Sequence, residues 1–161
     1  MHQHRRAGQE LERIECEGVT YNLKIASWET GGVYEVWEMV WDKGAVVPCH
    51  EHHNSRETFF ITQGKVEFTL AGRKATATAG DVIHVPPYMP HSMVFLEDTT
   101  WMAYFNNYRF YDAIKELNLI REQNPAIVED EAFRREFGSR TDSHPVKTPG
   151  EAAEELLFTS G

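Results

Sequence analysis

Four side chains set the chemistry this chain could perform: His50, His52, Glu57 and His91. His50 and His52 alternate by two, so on a strand both imidazoles face one side. Glu57 follows after a short turn and opens the next run, Thr58 to Gln63, while His91 comes after the turn Pro86-Pro87-Tyr88-Met89-Pro90. Three imidazoles and one carboxylate offer nitrogen and oxygen donors without a thiolate, a set suited to one divalent first-row ion: Fe, Mn, Ni, Co or Zn. Two other metal patterns fail on spacing. His50-Glu51 begins like the His-Glu-x-x-His of helical zinc proteases, but the fifth position is Asn54. The His-x-His-x-Asp-His of binuclear hydrolases needs Asp and His where Asn54 and Ser55 stand.

These residues must be positioned by strands. From residue 19 to 105 the chain runs in short stretches rich in Val, Ile, Thr, Phe, Tyr and Trp. Turn signals break them at Gly31-Gly32, Asp42-Lys43-Gly44, Gly64-Lys65, Ala71-Gly72, Gly80-Asp81 and Glu97-Asp98. Such a texture predicts a β-sandwich or barrel. After Phe105 it changes. Phe110, Ala113, Ile114, Leu117 and Ile120 recur at helical spacing, with Asn107 as the expected cap and Pro125 as the bound. A second helix is expected over 129–137, stopped by Gly138, and Thr148-Pro149-Gly150-Glu151 has the form of a capping box for a helix over 151–158 or else opens a frayed tail. The expected division is a polar arm over 1–18, a β-domain over 19–105 and a helical extension and tail over 106–161.

Composition narrows the function classes. The 161 residues carry 16 Lys and Arg against 25 Asp and Glu, a formal net charge of −9, which argues against a nucleic-acid or basic membrane-surface binder. No apolar run approaches the length of a membrane span, and the charged first thirteen residues lack a secretory core. Cys16 and Cys49 are too few for a disulfide scaffold. A soluble cytoplasmic domain is the expectation.

The spacing Gly44-x5-His50-x-His52-x4-Glu57-x6-Gly64 resembles the first motif of the cupins without a departure. Gly80, Pro86 and His91 resemble the second, Gly-x5-Pro-x-Gly-x2-His-x3-Asn, except that Tyr88 stands in place of Gly and Phe95 in place of Asn. The resemblance covers roughly residues 33 to 105. It implies an all-β, double-stranded β-helix, the cupin jelly-roll barrel, with the metal inside it on His50, His52, Glu57 and His91. It also implies a homodimer, with residues 19–26 as the strand traded to the partner.

Alternation projected from the ligands predicts a pocket of Phe59, Ile61, Gln63, Met93 and Phe95, with Tyr88 at its rim; the other reading of the apolar members is core packing. Glu57 is the candidate catalytic group, able to take a proton as well as to bind metal. His53 should face away. His84 could enter the cavity or reach solvent, and Glu35 and Glu38 fall on opposite faces, so one points inward or stands solvated at the strand end. Tyr104, Tyr108 and Arg109 are softer candidates. The resemblance implies an enzyme acting on an enolisable or phenolic substrate, dioxygenase-like, with non-oxidative isomerase, lyase or cyclase chemistry as the alternative. Related sulfonium-acid lyases carry a Tyr where this chain has Phe59, which counts against that branch. A non-catalytic ligand-binding domain is the third reading.

Overall fold

The computed structural model describes residues 4–6, 8–16 and 18–147. Its strands are β1 (Glu12–Cys16), β2 (Val19–Ile25), β3 (Tyr34–Trp41), β4 (Val46–Glu51), β5 (Arg56–Gln63), β6 (Lys65–Leu70), β7 (Arg73–Thr78), β8 (Val82–Val85), β9 (His91–Phe95), β10 (Thr99–Asn106) and the short β11 (His144–Pro145). Two helices, α1 (Phe110–Gln123) and α2 (Glu131–Thr141), precede β11.

The strands form two antiparallel sheets, in the orders β1-β2-β3-β10-β5-β8 and β11-β4-β9-β6-β7. Neither sheet closes on itself into a barrel; each keeps two edge strands, and their inner faces meet across a shared core. Period-two alternation sets those faces. In β3 the buried positions are Glu35, Trp37, Met39 and Trp41, and in β10 they are Thr99, Trp101, Ala103 and Phe105. Trp41 of one sheet stacks on Phe95 of the other at 4.3 Å between ring centroids, and Trp101 packs against both. Offset and edge contacts of this kind add to the burial of the large rings themselves.

Several expectations change. The polar arm contains β1, which pairs with β2 from Glu12 opposite Leu23 to Cys16 opposite Val19. β2, expected to be traded, lies inside its own chain's sheet between β1 and β3. Asn107 does not cap α1. It sits in the left-handed region, and the helix begins at a cap position, Arg109, that makes no side-chain hydrogen bond. The capping acceptor instead comes from β3: the buried Glu35 carboxylate takes the Tyr111 backbone N–H at 2.9 Å and the Trp37 indole N–H at 3.0 Å. An acceptor oxygen there satisfies an orphan donor of the helix N-terminus. α2 runs through Gly138 rather than stopping at it, and a side chain at 138 would meet the Ser143 carbonyl at 2.2 Å. The close return of the chain needs glycine within the last turn. The third helix, over 151–158, lies outside the described residues. No helix among them is long and apolar enough to cross a membrane.

Candidate metal centre

The four ligand candidates converge from both sheets. His50 on β4 and His91 on β9 are direct cross-strand partners. His52 follows β4 by one residue, and the turn after it carries the chain to the other sheet, where Glu57 is the first inward position of β5. One donor atom from each of His50, His52, Glu57 and His91 lies within 4.8 Å of every other. His52 and His91 are 1% exposed and Glu57 is 4%.

Backbone carbonyls orient all three imidazoles. His50 Nδ1 lies 2.9 Å from the Pro48 carbonyl, His91 Nδ1 lies 2.9 Å from the Met89 carbonyl, and His52 Nδ1 meets the Asp142 carbonyl. A carbonyl only accepts, so each Nδ1 carries a proton and Nε2 is the nitrogen turned inward, with its lone pair available to a metal whenever the ring is neutral. The Glu57 oxygens stand 3.1 Å from His52 Nε2 and 3.0 Å from His91 Nε2, yet His52 Nε2 and Glu57 Oε2 are buried without an aligned hydrogen bond. Lone pairs aimed at a carboxylate in a buried site call for a cation between them. The residues therefore fit a divalent ion, with three nitrogens and one oxygen that leave positions for substrate where the coordination expands to five or six.

The electrostatics follow from the same packing. Burial, reinforced by the neighbouring His91, pushes the His50 imidazole down to about 3, so it stays neutral. Burial opposes ionisation of both His52 and Glu57, but their mutual attraction wins, raising the imidazole and holding the carboxyl well below its usual range.

A cavity of about 1020 Å³ opens from this cluster between the sheets and under the helices. Phe59 and Met93 line it as expected, joined by Met39, Trp101, Phe105 and Tyr108. Ile61 and Phe95 face inward but are spent in the packed core beyond it. Gln63 is exposed. The β5–β10 register pairs Trp101 with Ile61 but Thr100 with Gln63, and this bulge at Thr62 breaks the alternation that would have turned Gln63 inward. Tyr88 is 66% exposed and stacks on His53 at 4.8 Å, so it stands outside the cavity. It adopts a φ of 59°, the left-handed turn that glycine would occupy without strain. His84 faces outward beside Thr58, Glu35 is the inward acid, Glu38 pairs with Lys24, and Arg109 pairs with Asp112. Tyr104 packs on Tyr34 at the outer face.

Tyr108 is buried, its ring 4.9 Å from that of His52 and its hydroxyl bonded to the Ser143 side chain. Burial, with the Glu57 charge, pushes its phenol well above the ordinary range, so it remains a protonated donor. Sequence reasoning missed the polar wall supplied by the extension. Arg121, Arg134, Arg135 and Lys147 line the cavity together with Glu129 and Glu131, which pair with Arg134, Arg135 and Lys147, a charged wall with no motif to announce it.

Residues 37–105 match the family model described as "Cupin domain". Quercetin 2,3-dioxygenase of Bacillus subtilis is 33% identical over 63 residues, 39% of this chain and 19% of that protein. An uncharacterized protein of Methanocaldococcus jannaschii is 34% identical over 50 residues, 31% of this chain and 40% of that one. The matched stretches thus span less than half of either relative. An RmlC-like cupin from Shewanella frigidimarina has the same fold, with a TM-score of 0.57 at 21% identity, covering 68% of this chain and 94% of that one. Ligand spacing, paired sheets and family match agree that the stretch from β3 to β10 is a cupin-superfamily domain.

Proposed function

We propose that the protein is a metal-dependent enzyme acting on a small enolisable or phenolic compound, with a dioxygenase-like reaction. The observation that carries this reading is the four-donor cluster set in the wall of a largely apolar cavity of about 1020 Å³. His50, His52, Glu57 and His91 would hold the ion, and a bound divalent ion supplies Lewis-acid polarisation of a substrate oxygen. Phe59, Met93, Trp101 and Phe105 would pack the substrate's carbon skeleton and exclude water. Tyr108, kept protonated by burial, would donate a hydrogen bond to an anionic substrate oxygen, and Glu57 is the group proposed to accept the enol proton. The 33% identity to a quercetin dioxygenase over 63 residues supports the oxygen-dependent branch.

A second reading rests on the polar groups of the cavity wall, the Tyr108 hydroxyl and the Arg121 guanidinium among them, which suit a carboxylate-bearing substrate and non-oxidative isomerase or lyase chemistry. The experiment is oxygen consumption by Fe(II)-, Mn(II)-, Ni(II)- and Co(II)-loaded protein with flavonols, catechols and small diketones. Oxygen uptake coupled to substrate loss is expected. Equal turnover without oxygen would promote the second reading, and tight binding without turnover would make the chain a ligand-binding domain.

The working unit is proposed to be a cytoplasmic homodimer, because among the described residues β1, β8, β7 and β11 leave sheet edges unpaired. Light scattering giving a mass near the 18.6 kDa of one chain would overturn that. The division into arm, β-domain over 19–105 and helical extension is the corresponding proposal for truncation experiments.

A further inference from the structure

The residue that ties the helical extension to the candidate metal centre is Asp142. It ends α2 in the left-handed conformation, with a φ of 58°. Its backbone carbonyl receives the Nδ1 proton of His52, and its carboxylate faces the turn that leads from His52 to Glu57. There it accepts from the backbone N–H of His53 at 2.9 Å, of Asn54 at 3.1 Å and of Ser55 at 3.0 Å, and from the Ser55 hydroxyl at 2.6 Å. Burial works against this carboxyl, but those donors hold it down at about 2, so it is fully ionised. His144 stacks on His53 at 3.8 Å, and β11 pairs with β4 opposite His50 and Glu51. The next residue, Ser143, bonds the Tyr108 hydroxyl, and its amide returns to the Gly138 carbonyl at 3.0 Å.

We propose that Asp142 is a positioning residue for the metal centre, so that seating of the α2–β11 segment and occupation of the His50, His52, Glu57, His91 site are thermodynamically coupled. This rests on the metal-site reading above. One residue fixes the tautomer of one ligand through its carbonyl and the approach of a second ligand through its carboxylate. Partners of this kind, one bond removed from a metal, govern affinity by about 10- to 100-fold. The coupling must run both ways: an ion that prefers the seated segment also holds it seated.

The test compares the full-length wild type with Asp142→Gly and Asp142→Asn. Glycine and asparagine keep the left-handed turn, so the carbonyl stays in place while the charged acceptor is lost or halved. Zn(II) and Co(II) affinities are measured against a competing chelator, together with the visible spectrum of the Co(II) protein and hydrogen exchange over residues 131–147 with and without ion. The expected result is weaker binding in Asp142→Gly by up to about 10-fold, the low end of that range because the carbonyl that holds His52 is kept, with a smaller loss in Asp142→Asn. A changed Co(II) spectrum and weaker ion-dependent protection of 131–147 should accompany it. Ser55→Ala, which removes one donor from the same carboxylate, should weaken binding in the same direction and serves if Asp142→Gly does not fold. A lower melting temperature with unchanged affinity and spectrum would show a purely structural role and overturn the inference. A wild type that binds neither ion would overturn the metal reading itself, a distinct outcome.

Discussion

In the paired sheets each side chain's facing follows from strand parity, and whole runs are buried together: Glu35, Trp37, Met39 and Trp41 on β3, and His91, Met93 and Phe95 on β9. The helices are seated differently. α1 buries only Ala113 and Ile114, and α2 only Phe137 and Gly138. Apart from Phe110, which packs on Phe105, Trp37 and Tyr21 at the start of α1, what places them is a handful of polar tethers: Glu35 to the Tyr111 amide, Tyr111 to Glu12, Arg140 to Glu116, and Asp142 to the turn over 53–55. A sheet face held by many apolar contacts opens only with the whole domain, whereas a cover held by a few polar ones can open locally. The rigid half therefore carries the donors, and the loosely packed half closes the cavity over them.

The largest expected effect breaks the rigid half at its centre. Wild-type protein should carry close to one divalent ion per chain. His50→Ala combined with His52→Ala should lose it, because only Glu57 and His91 remain. Elemental analysis checks this, and full occupancy in the double variant would end the four-ligand assignment.

Next comes the packing contrast itself. Phe59 is 3% exposed, in the core and against the cavity, and Phe59→Ala should cost about 3–5 kcal/mol in urea unfolding. Phe133, half-buried on α2 and stacked on Phe137, should cost about 1 kcal/mol when cut to Ala. Similar costs at the two positions would erase the distinction between the halves.

How far the molecule was legible follows the same division. Parity and motif spacing placed His50, His52, Glu57, His91, Phe59 and Met93 without help, since a strand forces every second residue to one face. Gln63 escaped because a bulge at Thr62 is a local defect with no residue signature. Tyr88 escaped because its left-handed turn replaces a glycine that the motif otherwise signals. Asp142 and Glu35 act across 87 and 76 residues of chain on Ser55 and Tyr111, and no periodicity records a single long-range hydrogen bond. The charged wall of Arg121, Arg134, Arg135 and Lys147 with Glu129 and Glu131 depends on where the helices fold back, which amphipathic spacing leaves open.

The Glu35 tether has a pH signature. Burial raises its carboxyl above the ordinary 4.5, outweighing the Trp37, Tyr111 and Ser27 donors, and Asp112 on α1 adds to the rise. A group with a raised folded value binds its proton more tightly when folded, so its contribution is full below pH 4.5 and is lost as pH rises through the folded value. Glu35→Gln cannot ionise. Its stability relative to wild type should therefore increase as pH rises above 4.5 and then level off. Urea unfolding of both proteins across that range checks it, and a difference independent of pH would refute the assignment.

The smallest effect concerns Tyr88, at the junction between the rigid half and the site. Its backbone N–H donates to the His52 carbonyl at 2.7 Å, so the left-handed turn is held in place beside a ligand. A side chain in that region costs roughly 1–2 kcal/mol, and the stack on His53 offsets about 0.5–1.5 kcal/mol of it. Both Tyr88→Ala and Tyr88→Gly lose the stack, but only glycine also loses the strain. Glycine's greater freedom in the unfolded chain takes back part of the gain. Tyr88→Gly should then be more stable than Tyr88→Ala by roughly 0.5–1 kcal/mol, with wild type close to the glycine variant. Denaturation midpoints at equal slope read the difference directly. If alanine matched glycine, the turn at 88 would not be strained, and the departure from the motif at that position would have no energetic consequence.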